Sequence, residues 1–207
     1  MKILALELSS PRGSIAWHEI GQEPFSTSFA NDRKHSGLFF ENLELCLKRF
    51  GNPERIAVGL GPGSYAGTRI AIATATGLGA VSGAQLIGVP SFCAMETEAR
   101  QYAVIGDARR RSFFFAQVRD RRCLEGPVLY TEEELAERLK NIPSPIFATE
   151  PFAPFAVAET THPAALILAV IATTMHENIA STPLEPIYLR DPHITYAKAR
   201  PAVSNMR

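Results

Sequence analysis

Apolar runs broken by short polar turns predict alternating strands and helices. Ile3-Leu4-Ala5-Leu6-Glu7-Leu8 reads as a buried strand that stops at the turn Ser9-Ser10-Pro11-Arg12-Gly13. Further strands are predicted over Ser14–His18 and near Glu23–Phe29. A helical pattern from Gly37 to Phe50 closes at Gly51-Asn52-Pro53, a stop signal. The short apolar strand Ile56–Leu60 then runs into Gly61-Pro62-Gly63-Ser64-Tyr65-Ala66-Gly67. A helix rich in small residues follows from about Thr68 to Val81, then a strand at Leu86–Val89 and a helix at Ser91–Arg100.

From Tyr102 the order begins again. Tyr102–Asp107 is an apolar strand ending in an acid, Ala108–Arg111 is a turn, and Ser112–Val118 is the return strand. The chain's opening has the same order with Glu7 as its acid, and an offset of about one hundred residues suggests two related lobes. A charged amphipathic helix is predicted over Thr131–Asn141, with glutamates in its first turn where the helix dipole favours them. A Pro-rich connection, Pro143–Pro154, leads to an apolar helix at about Pro163–Glu177. Pro186-Ile187-Tyr188-Leu189-Arg190 then opens an irregular tail. The expectation is an α/β protein with an N-terminal lobe over 1–101 and a shorter second lobe with tail over 102–207.

Composition narrows the function. Twenty-one basic residues balance twenty-one acidic ones, so no global field holds a phosphate backbone and tight nucleic-acid binding by the chain alone is not expected. A local basic patch remains able to touch RNA within a complex. Cys46, Cys93 and Cys123 are widely spaced and form no CxxC pair, which argues against a disulfide framework and a zinc site and fits a reducing compartment. Glu7 interrupts the N-terminal apolar run, so no signal peptide is expected, and Ala164–Thr174 is too short to span a bilayer. A cytoplasmic location is the expectation. The histidines, His18, His35, His162, His176 and His193, form no HExxH or HxxxH pair, so no metal site built on one helix is expected.

The Gly-rich loop sits between a strand and a helix, where unpaired N–H groups suit an anion. It equally suits a tight turn with Ser64 or Thr68 capping the helix. It is neither a Walker loop nor a GxGxxG fingerprint. Glu7 and Asp107 end their strands where two-lobed phosphotransferases hold a metal–nucleotide, but neither is followed by the glycine that lets backbone amides approach phosphates. Glu7, Ser9, Ser64 and Asp107 are the candidate nucleotide or anion site.

On the first helix, Phe39, Leu43, Cys46 and Phe50 form an apolar stripe, with Phe40 and Leu47 beside it and Leu38 and Leu45 flanking its other side. Together they span roughly 220° of arc, where a half-buried helix needs about 100°. The next helix carries Ala71, Ala73, Ala75, Gly77, Gly79 and Ala80, small enough for close approach of another helix. Core packing explains both patterns, and so does a partner surface. Leu38, Phe39, Leu45, Cys46, Arg69, Ile72, Ala75 and Gly79 are the candidate partner interface. Without a partner the same face is expected to pair two copies as a homodimer, broken by a charge at Cys46 or Ala75. Arg109, Arg110 and Arg111 with Arg119, Arg121 and Arg122 read as a basic hairpin, either a solvated turn or an RNA-phosphate contact.

ILALELSS, His35-Ser36 at a helix start, GPGSYAGTRIA, GDARRRSFFF and PIYLRDP occur in the order seen in the TsaB (YeaZ) family. The resemblance covers most of the chain, and GPGSYAGTRI is its most specific piece. Glu7 stands where the family usually has Asp, Ala66 replaces the usual Thr, and Asp107-Ala108-Arg109 lacks the Gly-Glu that usually follows. The resemblance implies the two-lobed actin-like, sugar-kinase and Hsp70 (ASKHA) superfold with a shortened second lobe. It implies a catalytically silent partner of a TsaD-like transferase, which adds threonylcarbamoyl to the adenosine beside the tRNA anticodon. A TsaE-like ATPase would engage the pair, tRNA would be met only indirectly, and no membrane would be involved. No cofactor is expected, with ATP or ADP at the partner interface left open. A small-molecule kinase of the same superfold is the alternative, and a metallopeptidase a weaker one.

Overall fold

A computed structural model describes residues 1–31, 36–143, 145–175 and 184–190. Its first sheet is built from β1 (Lys2–Glu7), β2 (Arg12–Glu19), β3 (Phe25–Ala30), β4 (Arg55–Gly59) and β5 (Gln85–Val89), in the order β3-β2-β1-β4-β5. β1, β2 and β3 are antiparallel neighbours, and β1, β4 and β5 are parallel. The second sheet repeats this plan with β6 (Gln101–Asp107), β7 (Phe113–Arg119), β8 (Arg122–Tyr130), β9 (Ile146–Ala148) and β10 (Glu159–Thr160), in the order β8-β7-β6-β9-β10. β6, β7 and β8 are again antiparallel and β6, β9 and β10 parallel. The duplication read from the two hairpins therefore extends to all ten strands.

Both central strands are covered on both sides, which is why they read as unbroken apolar runs. Leu4, Leu6 and Leu8 face helices α1 (Gly37–Phe50) and α2 (Tyr65–Ser82), while Ile3 and Ala5 face a core shared by the two lobes. On β6, Tyr102 and Val104 enter that shared core, and Ala103 and Ile105 pack under α3 (Glu132–Leu139). A capping box between Thr131 and Glu134 opens α3.

Helix α4 (Ala165–Thr174) comes late in the chain but seats on the first sheet. Its seat is flat because Ala5 pairs with Ala16 on one side and Ala57 on the other, a row of alanines across three strands. Ala165, Ala169 and Ala172 are buried against that shared core, so helix and sheet approach closely. Both helix ends are satisfied from the sheet. Ala165 N donates to Ser14 Oγ at 2.9 Å, and Arg55 Nη1 donates to the Ala172 and Met175 carbonyls at 3.0 and 3.2 Å.

Three expectations need correction. The helix expected over Ser91–Arg100 is only the 3-10 turn Ser91–Ala94. Beyond it Arg121 captures the Met95 and Thr97 carbonyls, and Met95 bridges to Pro163. The Pro-rich connection contains β9, and β8 follows the basic turn where no strand was expected. The second lobe is short because the counterpart of α2, between β9 and β10, is reduced to the 3-10 turn Ala153–Phe155.

Candidate functional site

The Gly-rich loop closes onto the chain itself. Ser64 N donates to Ser9 O at 2.7 Å, and Ser64 Oγ caps α2 by accepting from Gly67 N at 3.2 Å. A Cβ on Gly63 would overlap the Ser9 carbonyl oxygen, and one on Gly67 would overlap that of Leu8. Asn31 Nδ2 ties the same turn by donating to Leu8 O and Ser10 O, both at 2.8 Å. The glycines thus let backbone meet backbone, and the loop is the capped tight turn of the two readings. That contact leaves no room for a phosphate between the loop and the β1–β2 turn.

The four residues of the candidate anion site are not brought together as one open pocket. Glu7 and Ser9 are buried, Ser64 is half-buried in its cap, and Asp107 is on the surface at the end of β6. Asp107 is occupied by its own turn, accepting from Arg109 N at 2.6 Å and Arg109 Nη1 at 3.1 Å. Nothing in the first-lobe geometry fits a nucleotide phosphate on Glu7.

Glu7 is nevertheless unusual. Ser9 N donates to its Oε1 at 2.6 Å, while Oε2 is buried without a hydrogen-bond partner over the Cα of Gly59. Burial pushes the carboxyl pKa up, and Ser9 and Ser91 beside it oppose that rise. The folded chain therefore keeps a proton that the unfolded chain has released, so stability falls as pH rises from about 4.5 toward the folded pKa. Glu7→Gln should remove this loss. The melting-temperature gain over the parent should be larger at about pH 8 than at about pH 5, and an equal offset at both would count against a protonated Glu7.

The partner-interface candidates divide. Phe39, Cys46 and Ala75 are buried between their helices and the first sheet, so they are core residues and not an accessible surface. A charge at Cys46 or Ala75 tests folding, which corrects their expected use as interface probes. Gly79 also turns inward, with Leu86 and the Ala84 carbonyl against its Cα. Leu38 and Leu45 are exposed and Ile72 partly so. Arg69 lies over the Tyr65 ring, 4.0 Å from its centroid, and donates to Tyr188 Oη at 3.1 and 2.6 Å. This anchors residues 184–190 on α2.

Phe40 belongs to the apolar arc of α1 but not to the interface candidates, and periodicity did not single out Tyr65 and Val81. All three join Leu38 and Leu45 among the exposed apolar residues on the helices covering one face of the first sheet. Leu45 is 65% exposed and Val81 90%. Phe40, Leu43, Glu44, Leu47 and Lys48 line a shallow groove along α1, and nothing stands near Gly77 on α2.

The basic hairpin is two separate features. Pairing of Asp107 with Phe113 and of Gln101 with Arg119 puts Arg109–Arg111 and Arg119–Arg122 at opposite ends of β7. Arg119 and Arg121 are engaged in holding structure, with Gln101 and with the Met95 and Thr97 carbonyls. His35, His176 and His193 lie outside the described residues. Among the described residues no three His, Cys, Asp or Glu side chains are grouped to hold a metal, and no helix is long and apolar enough to cross a membrane.

Residues 31–129 match the family model of TsaD, tRNA N6-adenosine threonylcarbamoyltransferase. An uncharacterized protein of Mycobacterium leprae (strain TN) is 30% identical over 142 residues, which is 67% of this chain and 38% of that protein. This chain therefore spans well under half of that relative. YeaZ from Pseudomonas aeruginosa superposes with a TM-score of 0.73 at 22% identity, covering 91% of this chain and 99% of that one. A second structure, of a protein with similarity to peptidase YEAZ from Pseudomonas aeruginosa, superposes with a TM-score of 0.72 at 20% identity and the same coverage. The chain thus has the fold of YeaZ, and residues 31–129 carry similarity to TsaD.

Proposed function

We propose that this protein is the non-catalytic subunit that binds and activates a TsaD-like transferase in threonylcarbamoyl modification of the adenosine next to the tRNA anticodon. The observation that carries the reading is the surplus apolar surface on α1 and α2. The sheet consumes Phe39, Leu43 and Cys46, yet Leu38, Phe40 and Leu45 on the same helix remain in solvent. Apolar side chains left in solvent on both flanks of a buried stripe suit a protein interface. The closed Gly-rich loop and the buried Glu7 favour this reading over phosphotransfer by the first lobe. A TsaE-like ATPase would act on the assembled pair, and without TsaD the same face would pair two copies of the chain.

Co-expression with the TsaD of the same genome, followed by size-exclusion chromatography with light scattering, is the direct test. A one-to-one complex is the expected result. Separate species, with TsaE and ATP also present, would overturn the proposal.

A further inference from the structure

The β6–β7 turn is the second lobe's counterpart of the β1–β2 turn, but the rest of the chain treats the two differently. In the first lobe Gly63 and Gly67 press the start of α2 onto Ser9 and Leu8. In the second, the 3-10 turn at Ala153–Phe155 replaces that helix and packs into the outer core, with the Phe155 ring 5.2 Å from that of Phe113. The β6–β7 turn is left open, with Arg109, Arg110 and Arg111 all exposed.

All three arginines have left-handed backbone, with φ of 64°, 55° and 57°. Glycine takes this conformation freely and side-chain-bearing residues only at a cost, so arginine is not the choice that best stabilises the turn. Asp107 engages Arg109 alone. The segment carrying Tyr188 brings a fourth guanidinium, since Arg190 donates to Ser112 beside the turn. Among the described residues Arg110, Arg111 and Arg190 form no ion pair.

We infer that this uncovered turn, together with Arg190, binds the phosphates of an RNA backbone. Guanidinium forks match phosphate oxygens in charge and geometry. A protein partner would call for an apolar centre, and this turn offers none, since Ala108 is buried and its other side chains are Arg and Ser. The chain is neutral overall, so the contact is local, weak alone and strongly salt-dependent. It stands independently of the pairing with a TsaD-like protein. The segment 184–190, bound to α2 at Tyr188 and to the turn at Arg190, places it beside the helix face proposed for that partner.

The test is fluorescence anisotropy of the full chain, alone, with a labelled RNA hairpin between about 50 and 200 mM salt. Three phosphate contacts predict a log–log slope of about −2.1 to −2.7, a roughly twentyfold to fortyfold loss across that range. The double variant Arg110→Gly/Arg111→Gly keeps a left-handed turn, so its melting temperature should hold or rise. Its salt slope should weaken by about 2, with affinity at low salt down at least tenfold. Several results would overturn the inference: no hairpin binding by the parent, a variant that binds with unchanged slope, or a variant that loses thermal stability. Displacement of the hairpin by micromolar ATP, or preference for poly-glutamate over RNA, would equally replace RNA with another ligand.

Discussion

Leu45→Glu and Cys46→Glu should fail in opposite ways although they are adjacent. Leu45 points into solvent, so a glutamate there should leave the melting temperature nearly unchanged. If the α1–α2 face holds a TsaD-like partner, the same charge should cost about 2–4 kcal/mol of association, roughly thirtyfold to several hundredfold in Kd. Cys46 is 1% exposed and packed against the first sheet. A carboxylate there should destabilise the fold by about 3–5 kcal/mol, because an unpaired charge would be buried. Calorimetric melting and titration against TsaD separate the two outcomes. Normal association by folded Leu45→Glu would remove the proposed interface, and a stable Cys46→Glu would contradict the packing of α1.

Gly67→Ala should cost about 2–3 kcal/mol despite the better helix propensity of alanine, which returns about 1 kcal/mol. The new methyl would overlap the Leu8 carbonyl oxygen, which is backbone and held in place by Asn31. For a chain of this size that is a melting-temperature drop of about 4–12 °C. Gly77→Ala is the matched control. It lies on the same helix with nothing near its Cα, so it should be neutral or stabilising in the isolated chain. If both substitutions behaved alike, the glycine at 67 would not be set by the close approach to the β1–β2 turn.

Much of the fold was legible because its signals are local. The apolar runs of β1, β4 and β6, the Gly-Asn-Pro stop after α1 and the repeated hairpin each declare themselves within a few residues. What was hidden depends on long-range partners. β8 contains Gly126-Pro127, which reads as a break, yet an edge strand tolerates it, and β8 lies at the edge of its sheet. β9 has three residues between prolines and is a strand only because β6 lies beside it. The residues after Ala94 carry a helical pattern, but Arg121, 26 and 24 residues further on, takes the Met95 and Thr97 carbonyls.

The candidate site was legible to the same depth. The width of the apolar arc on α1 announced surplus surface, but periodicity cannot say which part of so broad an arc meets the sheet. Hence Phe39 and Cys46 were grouped with Leu38 and Leu45, from which burial separates them. The two acids at equivalent strand ends could be named from sequence. That one is sealed under Ser91 and Gly59 while the other caps its own turn follows only from the packed structure.

The seat of α4 bears on how the protein is made. The alanine row across β2, β1 and β4 is complete once Ala57 has been synthesised, but the helix that covers it ends at Thr174. During synthesis the first sheet must wait for the whole second sheet to leave the ribosome before one of its faces is shielded from water. The two lobes, though built on the same plan, are therefore obliged to mature together, with α4 acting as the latch between them.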